Sequence, residues 1–357
     1  MKKSFLLLAT AALFAACASD SVRENIAEDQ VEIGFSTYIQ KPVASKAENS
    51  NASEVNSLSN YHTTFVVNGY KTVAGENELV FNNQLVEYTT AWTYSPKKIW
   101  DKSASGYSFF AAAPSAGWGY ADGKYTYADF SLTGTSLDPT TTLDPAADFT
   151  GKDTDLMIAK DVIDYKTYES TPVNFSFNHI LSRLNIAVKC SGFGTDYNVL
   201  LKEVKVYNMT SNGSFNEAAE LGTDVLANGT IKRWTSATAP AKYTAGVGYA
   251  NATGLEVNET PNYVYQALII PQEVAYVADV DNAGTGLSAE SAPYLNIKFT
   301  VNGENHNYFY NLADMFNADA ATNVKFCEGW QNNLTINIGG MEGINFTADV
   351  YEWVNKE

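Results

Sequence analysis

The chain has 357 residues, with 23 basic and 40 acidic side chains and a formal net charge of −17. A polyanion lacks the basic footprint that nucleic acid or acidic lipid headgroups demand, so both drop out as partners. Its 22 Tyr and 18 Phe favour pleated, half-buried surfaces, and its length suits two domains better than one.

In chain order, Lys2 and Lys3 precede an apolar run from Phe5 to Ala16 that meets Cys17. A basic start, a short apolar core and small residues before the cut make a secretory leader. The run is too short for the roughly 20 helical residues that span a bilayer. Leu13-Phe14-Ala15-Ala16-Cys17 resembles a bacterial lipobox. That implies a lipoprotein signal peptide over 1–16, acylation of Cys17 and an anchor in the cell outer membrane, each buried CH₂ of the acyl chains contributing about 0.8 kcal/mol. Residues 17–30 are small, polar and acidic, an expected flexible tether.

From Val31 to Ile39 apolar residues alternate with others, and Val31, Ile33, Phe35 and Thr37 fall on one face of an expected strand. Pro42 ends it, because proline cannot donate to a ladder. The polar stretch Val43 to Asn60 includes Lys46 and has the composition of a protease-accessible linker. Residues 31–46 thus form a detached first strand with a candidate cleavage site.

The remainder is read as two β-sandwiches, over 47–170 and 171–357. Thr63 to Val67 runs into Asn68-Gly69, a hairpin dipeptide. Val86 to Tyr94 and Tyr107 to Ala113 follow as strands, and Ser115 to Lys152 is taken as a long irregular region. Asp155 to Ala159 is an expected buried strand. Val173, Phe175 and Phe177 show strict period two, and strands are expected at Leu184–Val188, Val204–Tyr207, Tyr263–Ile270 and Tyr294–Val301. Asn302-Gly303 leads into His306–Tyr310, then a short helix over Leu312–Ala321, and the last strands are Leu334–Ile338 and Ile344–Trp353. Many short strands with little helical periodicity make an all-β sandwich protein.

Catalytic chemistry has no motif behind it. His62, His179 and His306 lie far from one another and from cysteine at metal-ligand spacing. There is no Gly-X-Ser-X-Gly elbow and no phosphate loop, so the chain is read as no enzyme, with no cofactor and no metal. Asp138, Asp144, Asp148, Asp153 and Asp155 cluster without calcium-hand spacing. Cys190 and Cys327 make one bridge or two buried thiols, and the thiols are favoured. Trp92, Trp100 and Trp118 with Tyr94 and Tyr120 offer a stacking platform for glycans, although core packing is the simpler account.

Four segments, in order, carry a family resemblance. They are the lipobox with the lone strand and Lys46; Trp92-Thr93-Tyr94-Ser95-Pro96 with Trp100 and Tyr107 to Pro114; Asp155 to Ala159 with Phe177-Asn178-His179-Ile180-Leu181-Ser182-Arg183-Leu184-Asn185-Ile186; and Trp330 to Ile338 with Val350 to Trp353. Together they resemble the fimbrillin family, the major and minor fimbrial subunits of Bacteroidetes. The resemblance implies two tandem transthyretin-like β-sandwiches and a pilus subunit that contributes to adhesion. It implies as partners other fimbrillin subunits, in a head-to-tail polymer, and a trypsin-like processing protease. In such assembly, cleavage frees the first strand and a neighbour's strand fills the groove, a form of β-augmentation, and a contact that does not close on itself builds a filament. Carried over, Val31, Ile33, Phe35 and Thr37 mark the exchangeable strand, and Ile344, Phe346, Val350 and Trp353 the donor. Lys46 becomes the cut site, where the family more often has arginine; Arg23, the nearest arginine, precedes the strand. The alternative is a monomeric surface lipoprotein that binds glycans.

Overall fold

A computed structural model of the chain describes residues 31–39, 58–132, 155–164, 172–193, 197–219, 231, 233–236, 242–248, 254–276, 292–316, 323–340 and 343–352. Strands dominate them. The largest sheet has seven strands in the order β1 (Phe35–Ile39), β9 (Val173–His179), β8 (Met157–Asp164), β5 (Gly106–Ala113), β2 (Thr64–Val73), β3 (Glu76–Tyr88) and β4 (Trp92–Thr93). Every pairing in it is antiparallel except β1 on β9, which is parallel. Its inner face is aromatic. Phe65, Phe81, Phe109, Phe175 and Phe177 are all buried in one cluster, the outcome expected where bulky rings alternate along strands that cover one face.

Two further sheets face each other across a second core. One has the order β16 (Asn262–Ile269), β10 (Ser182–Ser191), β21 (Trp330–Gly339) and β22 (Gly343–Glu352). The other runs β14 (Lys242–Gly248), β11 (Val199–Thr210), β18 (Tyr294–Val301) and β19 (Glu304–Asn311), with β15 (Leu255–Glu256) also on β11. Leu184, Ile186 and Val188 from the first, with Val204, Val206, Leu295 and Ile297 from the second, share the interior. This is a β-sandwich. A short helix, α1 (Leu312–Phe316), follows β19, and the Asn311 side-chain oxygen caps it by accepting from Ala313 N at 3.0 Å. Cys190 and Cys327 are free and buried, and burial pushes the Cys327 thiol up to about 12.

The two halves of the chain are joined by a sheet built from both. It has the order β13 (Trp234–Ser236), β12 (Asn212–Asn216), β7 (Lys124–Ser131) and β6 (Trp118–Ala121), with β12 and β7 antiparallel. Beneath it Phe110, Tyr125, Leu181, Phe215, Trp234 and Leu268 form a third cluster. Its polar atoms are bonded as well. Tyr125 OH donates to Phe110 O at 2.9 Å, Trp234 Nε1 donates to Ile180 O at 2.7 Å, and Arg233 grips Glu328 through two nitrogens. A two-stranded pair, β17 (Gln272–Val274) with β20 (Val324–Phe326), completes the strands.

Three local readings change. β6 and β7 occupy part of the region read as irregular, joined by Asp122 and Gly123 at φ of 51° and 74°. Two successive positive values are the signature of a tight hairpin, and Asp-Gly is its favoured sequence. Conversely, Asn68-Gly69 makes no turn. β2 runs straight through it, and the chain reverses at Ala74-Gly75. Asn68 is buried, donating to Tyr125 OH at 3.1 Å and accepting from Asn83 N at 2.8 Å. Gly69 is there because a Cβ would lie 2.8 Å from the Phe109 ring. Finally, Val173–His179 belongs to the first sheet, so the chain leaves that sheet between His179 and Ser182.

Since the Phe109 ring is itself enclosed, Gly69→Ala should destabilise the fold by about 1–3 kcal/mol, the usual cost of overpacking. Urea denaturation of the two proteins checks this, and equal midpoints would contradict it.

Candidate functional site: the first strand and its seat

The N-terminal strand spans two partners. Residues 31–34 lie against 98–100, just after β4. Ile33 N donates to Lys98 O at 2.9 Å, Trp100 N donates to Val31 O at 3.0 Å, and Glu32 bridges Ile99 antiparallel. At Gly34 the strand changes neighbour. Val173 N donates to Gly34 O at 2.8 Å, and Phe35 to Ile39 then pair parallel with Val173 to Phe177. Residues 98–100 follow β4, which ends the strand order on the side opposite β1 and β9. One short segment therefore closes the gap between the two rims of a curled sheet.

Its side chains finish the aromatic core. Ile33, Phe35 and Ile39 are buried, at 1%, 7% and 3% exposure, whereas Val31 is 40% exposed. Phe35 is surrounded by Phe65, Phe81, Tyr94, Phe109 and Phe175, with centroid separations of 6.1, 5.5, 5.3, 6.4 and 5.7 Å. Tyr94 OH donates to Ile33 O at 2.7 Å, and burial pushes this phenol up to about 12. Ser36 Oγ bonds Asn174 Oδ1 across the ladder. Thr37 also points inward in the period-two series. Its Oγ1 is sealed from solvent with no hydrogen-bond partner among the described residues.

The covalent link to the rest of the body runs through residues 40–57. Cys17 and Lys46, the expected lipidation and cleavage positions, lie outside the described residues. Lys46 falls between two anchors, Ile39 on one side and the fully buried Leu58 on the other. A break there leaves the first strand held by non-covalent contacts alone.

Toward the C-terminus, β22 pairs with β21 and with no other strand among the described residues, which makes it an edge strand. Ile344 and Phe346 are half-buried against the second core, and Val350 is 39% exposed. Trp353 lies outside the described residues.

Other candidates are dispersed or sealed. His179 Nδ1 meets Asp155 Oδ2 at 2.6 Å inside the protein, and nearby His62 is held below the usual imidazole range by burial. Among the described residues no group of three or more His, Cys, Asp or Glu is placed to hold a metal. Asp138, Asp144, Asp148 and Asp153 lie outside them. Trp100 is buried against Tyr107 and Phe109 and Trp92 packs on Phe65, both in the first aromatic core, whereas Trp118 packs on Tyr125 and Tyr127 in the third cluster, so the three rings form no common platform.

Two substitutions read the seat. Phe35→Ala removes a ring with five aromatic neighbours and should cost about 3–5 kcal/mol. Thr37→Val replaces an unbonded buried hydroxyl with a methyl group of like shape and should stabilise by about 1 kcal/mol. Thermal melts of both variants check the opposite signs.

The family model described as fimbrillin-like matches residues 51–353. The fold is similar to that of a fimbrial protein from Bacteroides vulgatus, with 14% identity and a TM-score of 0.52, covering 90% of this chain and 99% of that one. Candidate cell adhesion proteins from Bacteroides uniformis and Bacteroides ovatus also align. The first has 16% identity and a TM-score of 0.44, covering 91% of this chain and 98% of that one. The second has 13% and 0.46, covering 92% and 99%. A comparison with curated proteins finds no match. With a family-model match over residues 51–353, most of its length, the chain belongs to the fimbrillin-like family.

Proposed function

We propose that this protein is a structural subunit of a cell-surface fimbria, delivered as a Cys17 lipoprotein and assembled when cleavage at Lys46 lets a neighbour's strand replace β1. Family membership supports a pilus-type adhesion subunit rather than an enzyme. The observation that carries the exchange is the seat of β1. A strand connected to the body only through residues 40–57 fills the centre of an aromatic core. Its loss opens an apolar groove flanked by unpaired main chain of β9, and β-augmentation satisfies both needs at once.

The chain carries a matching filler. The first segment, β1 with the residues just before it, presents Ile33, Phe35, Thr37 and Ile39 at alternate positions, and β22 presents Ile344, Phe346, Ala348 and Val350 at the same spacing. Each β22 residue equals its counterpart in size or is slightly smaller. Ala348 in place of Thr37 would also remove the unbonded hydroxyl. In its own sheet this series is only partly covered, so transfer to a neighbour's seat gains apolar burial at about 25 cal/mol per Å².

Limited trypsin treatment of the lipid-free precursor tests the reading. Lys41 is followed by Pro42 and resists trypsin, which leaves Lys46 as the basic residue between Ile39 and Leu58. Cleavage should expose Ala47 as the new N-terminus and produce a ladder of oligomers. Lys46→Gln should block both, and Phe346→Asp should allow the cut but stop the ladder. A cleanly cut protein that remains monomeric sinks the proposal.

A further inference from the structure

We propose that the seam between β19 and β22 is a binding site for a neutral saccharide, on a face of the molecule separate from the seat of β1. The two sheets of the second sandwich end there in facing edge strands, and between them lies a groove of about 730 Å³. Its floor is apolar, from buried Phe299 and Ile338 with half-buried Ile344.

One wall is a row of rings on β19. His306, Tyr308 and Tyr310 occupy alternate positions and turn to the same side. The His306 and Tyr308 ring centroids are 6.2 Å apart with planes 6° from parallel, those of Tyr308 and Tyr310 are 6.3 Å apart at 27°, and the Phe299 centroid lies 5.0 Å from that of His306. Among the described residues no protein group bonds the Tyr308 or Tyr310 hydroxyl, the His306 ring nitrogens or the Glu304 carboxylate. That contrasts with the enclosed tyrosines, since Tyr94 and Tyr125 both donate to main-chain carbonyls. The groove therefore offers aromatic carbon beside groups free to donate and accept hydrogen bonds.

Shape and charge narrow the ligand. At one end Tyr310 meets Phe346 edge to face at 4.7 Å, and α1 packs beside β22, with Leu312, Ala313 and Met315 buried. That end is shut. A strand cannot run through, whereas a short ligand or a chain terminus can enter from the Glu304 end. Glu304 and the net charge of −17 disfavour an acidic ligand. A pyranose ring answers every feature: its C–H face packs on aromatic carbon and its hydroxyls pair with phenol, imidazole and carboxylate.

The test is titration calorimetry of the uncleaved, lipid-free chain with neutral hexasaccharides of glucose, mannose, galactose and N-acetylglucosamine. Saturable one-site binding by at least one is expected. It should weaken about tenfold in Tyr308→Phe and in Tyr310→Phe, which keep the rings and each lose one hydroxyl. Glu304→Gln and His306→Ala should weaken it also, with melting temperatures unchanged in the two Phe variants. Absence of binding by all four sugars, or binding indifferent to these substitutions, overturns the assignment. So does displacement of the sugar by a peptide copy of residues 31–39, which would make the groove a strand acceptor. The readout uses uncleaved monomer, so its failure leaves the strand-exchange reading untouched.

Discussion

The fold hangs on the burial of Phe35 by a strand with two masters. Gly34 is the point where the segment stops bonding to residues 98–100 and starts bonding to β9. Without it the seven-stranded sheet would be left with two open rims and a hole among Phe65, Phe81, Phe109 and Phe175. Burying one large apolar side chain is worth about 1.5–3 kcal/mol, and Ile33, Phe35 and Ile39 each contribute at that scale. Those contributions are local to one short strand, which is what the proposed exchange requires: another strand of the same pattern would supply them again.

What remains after such a removal depends on the sheet shared by the two halves. β7 and β12 pair across 80 or so residues of sequence, and the cluster beneath them draws Phe110 from one half and Trp234 and Leu268 from the other. Glu217 adds to this by accepting from Tyr125 N at 2.9 Å while paired with Lys124. The antiparallel join and its packed aromatic underside hold the halves together through main-chain bonds and buried rings. A subunit that loses its first strand therefore retains one intact sandwich and one open sheet that are still fixed to each other.

Much of the architecture could be read from the residues, and the exceptions have physical causes. Val173, Phe175 and Phe177 alternate because one face of β9 is buried, and that periodicity needs no tertiary knowledge. Asn302-Gly303 makes its turn at φ of 49° and 90° as its composition suggests. Asn68-Gly69 has the same composition, but a ring stacked over Gly69 decides the matter, and that ring is 40 residues away. The Asp122-Gly123 turn carried a legible signal between Tyr120 and Tyr125, obscured by the irregular composition that follows. Parallel pairing of β1 with β9 joins Ser36 to Asn174 across 138 residues, and of β10 with β21 joins Asn185 to Asn333 across 148. Neither has a local signature. Of the candidate site, the inward face of the first strand was legible from period two, while the exposure of Val31 and the two-sided seat were not.

On the proposed strand exchange, the likeness of β22 to β1 raises the question of what would hold β1 in place before cleavage. As long as the chain is continuous through 40–57, β1 competes for its seat as an intramolecular ligand, whose effective concentration is on the order of millimolar for a short tether. A neighbour's β22 arrives at far lower concentration and must also leave β21, giving up a ten-residue ladder. Cutting the tether removes the concentration advantage of β1 without changing a single contact in its seat. The balance then falls to side-chain burial. There β22 stands to gain, because Ile344, Phe346 and Val350 are incompletely covered at home, while Ile33, Phe35 and Ile39 are already buried. Covalent continuity, more than any contact energy, is thus the quantity a protease would change.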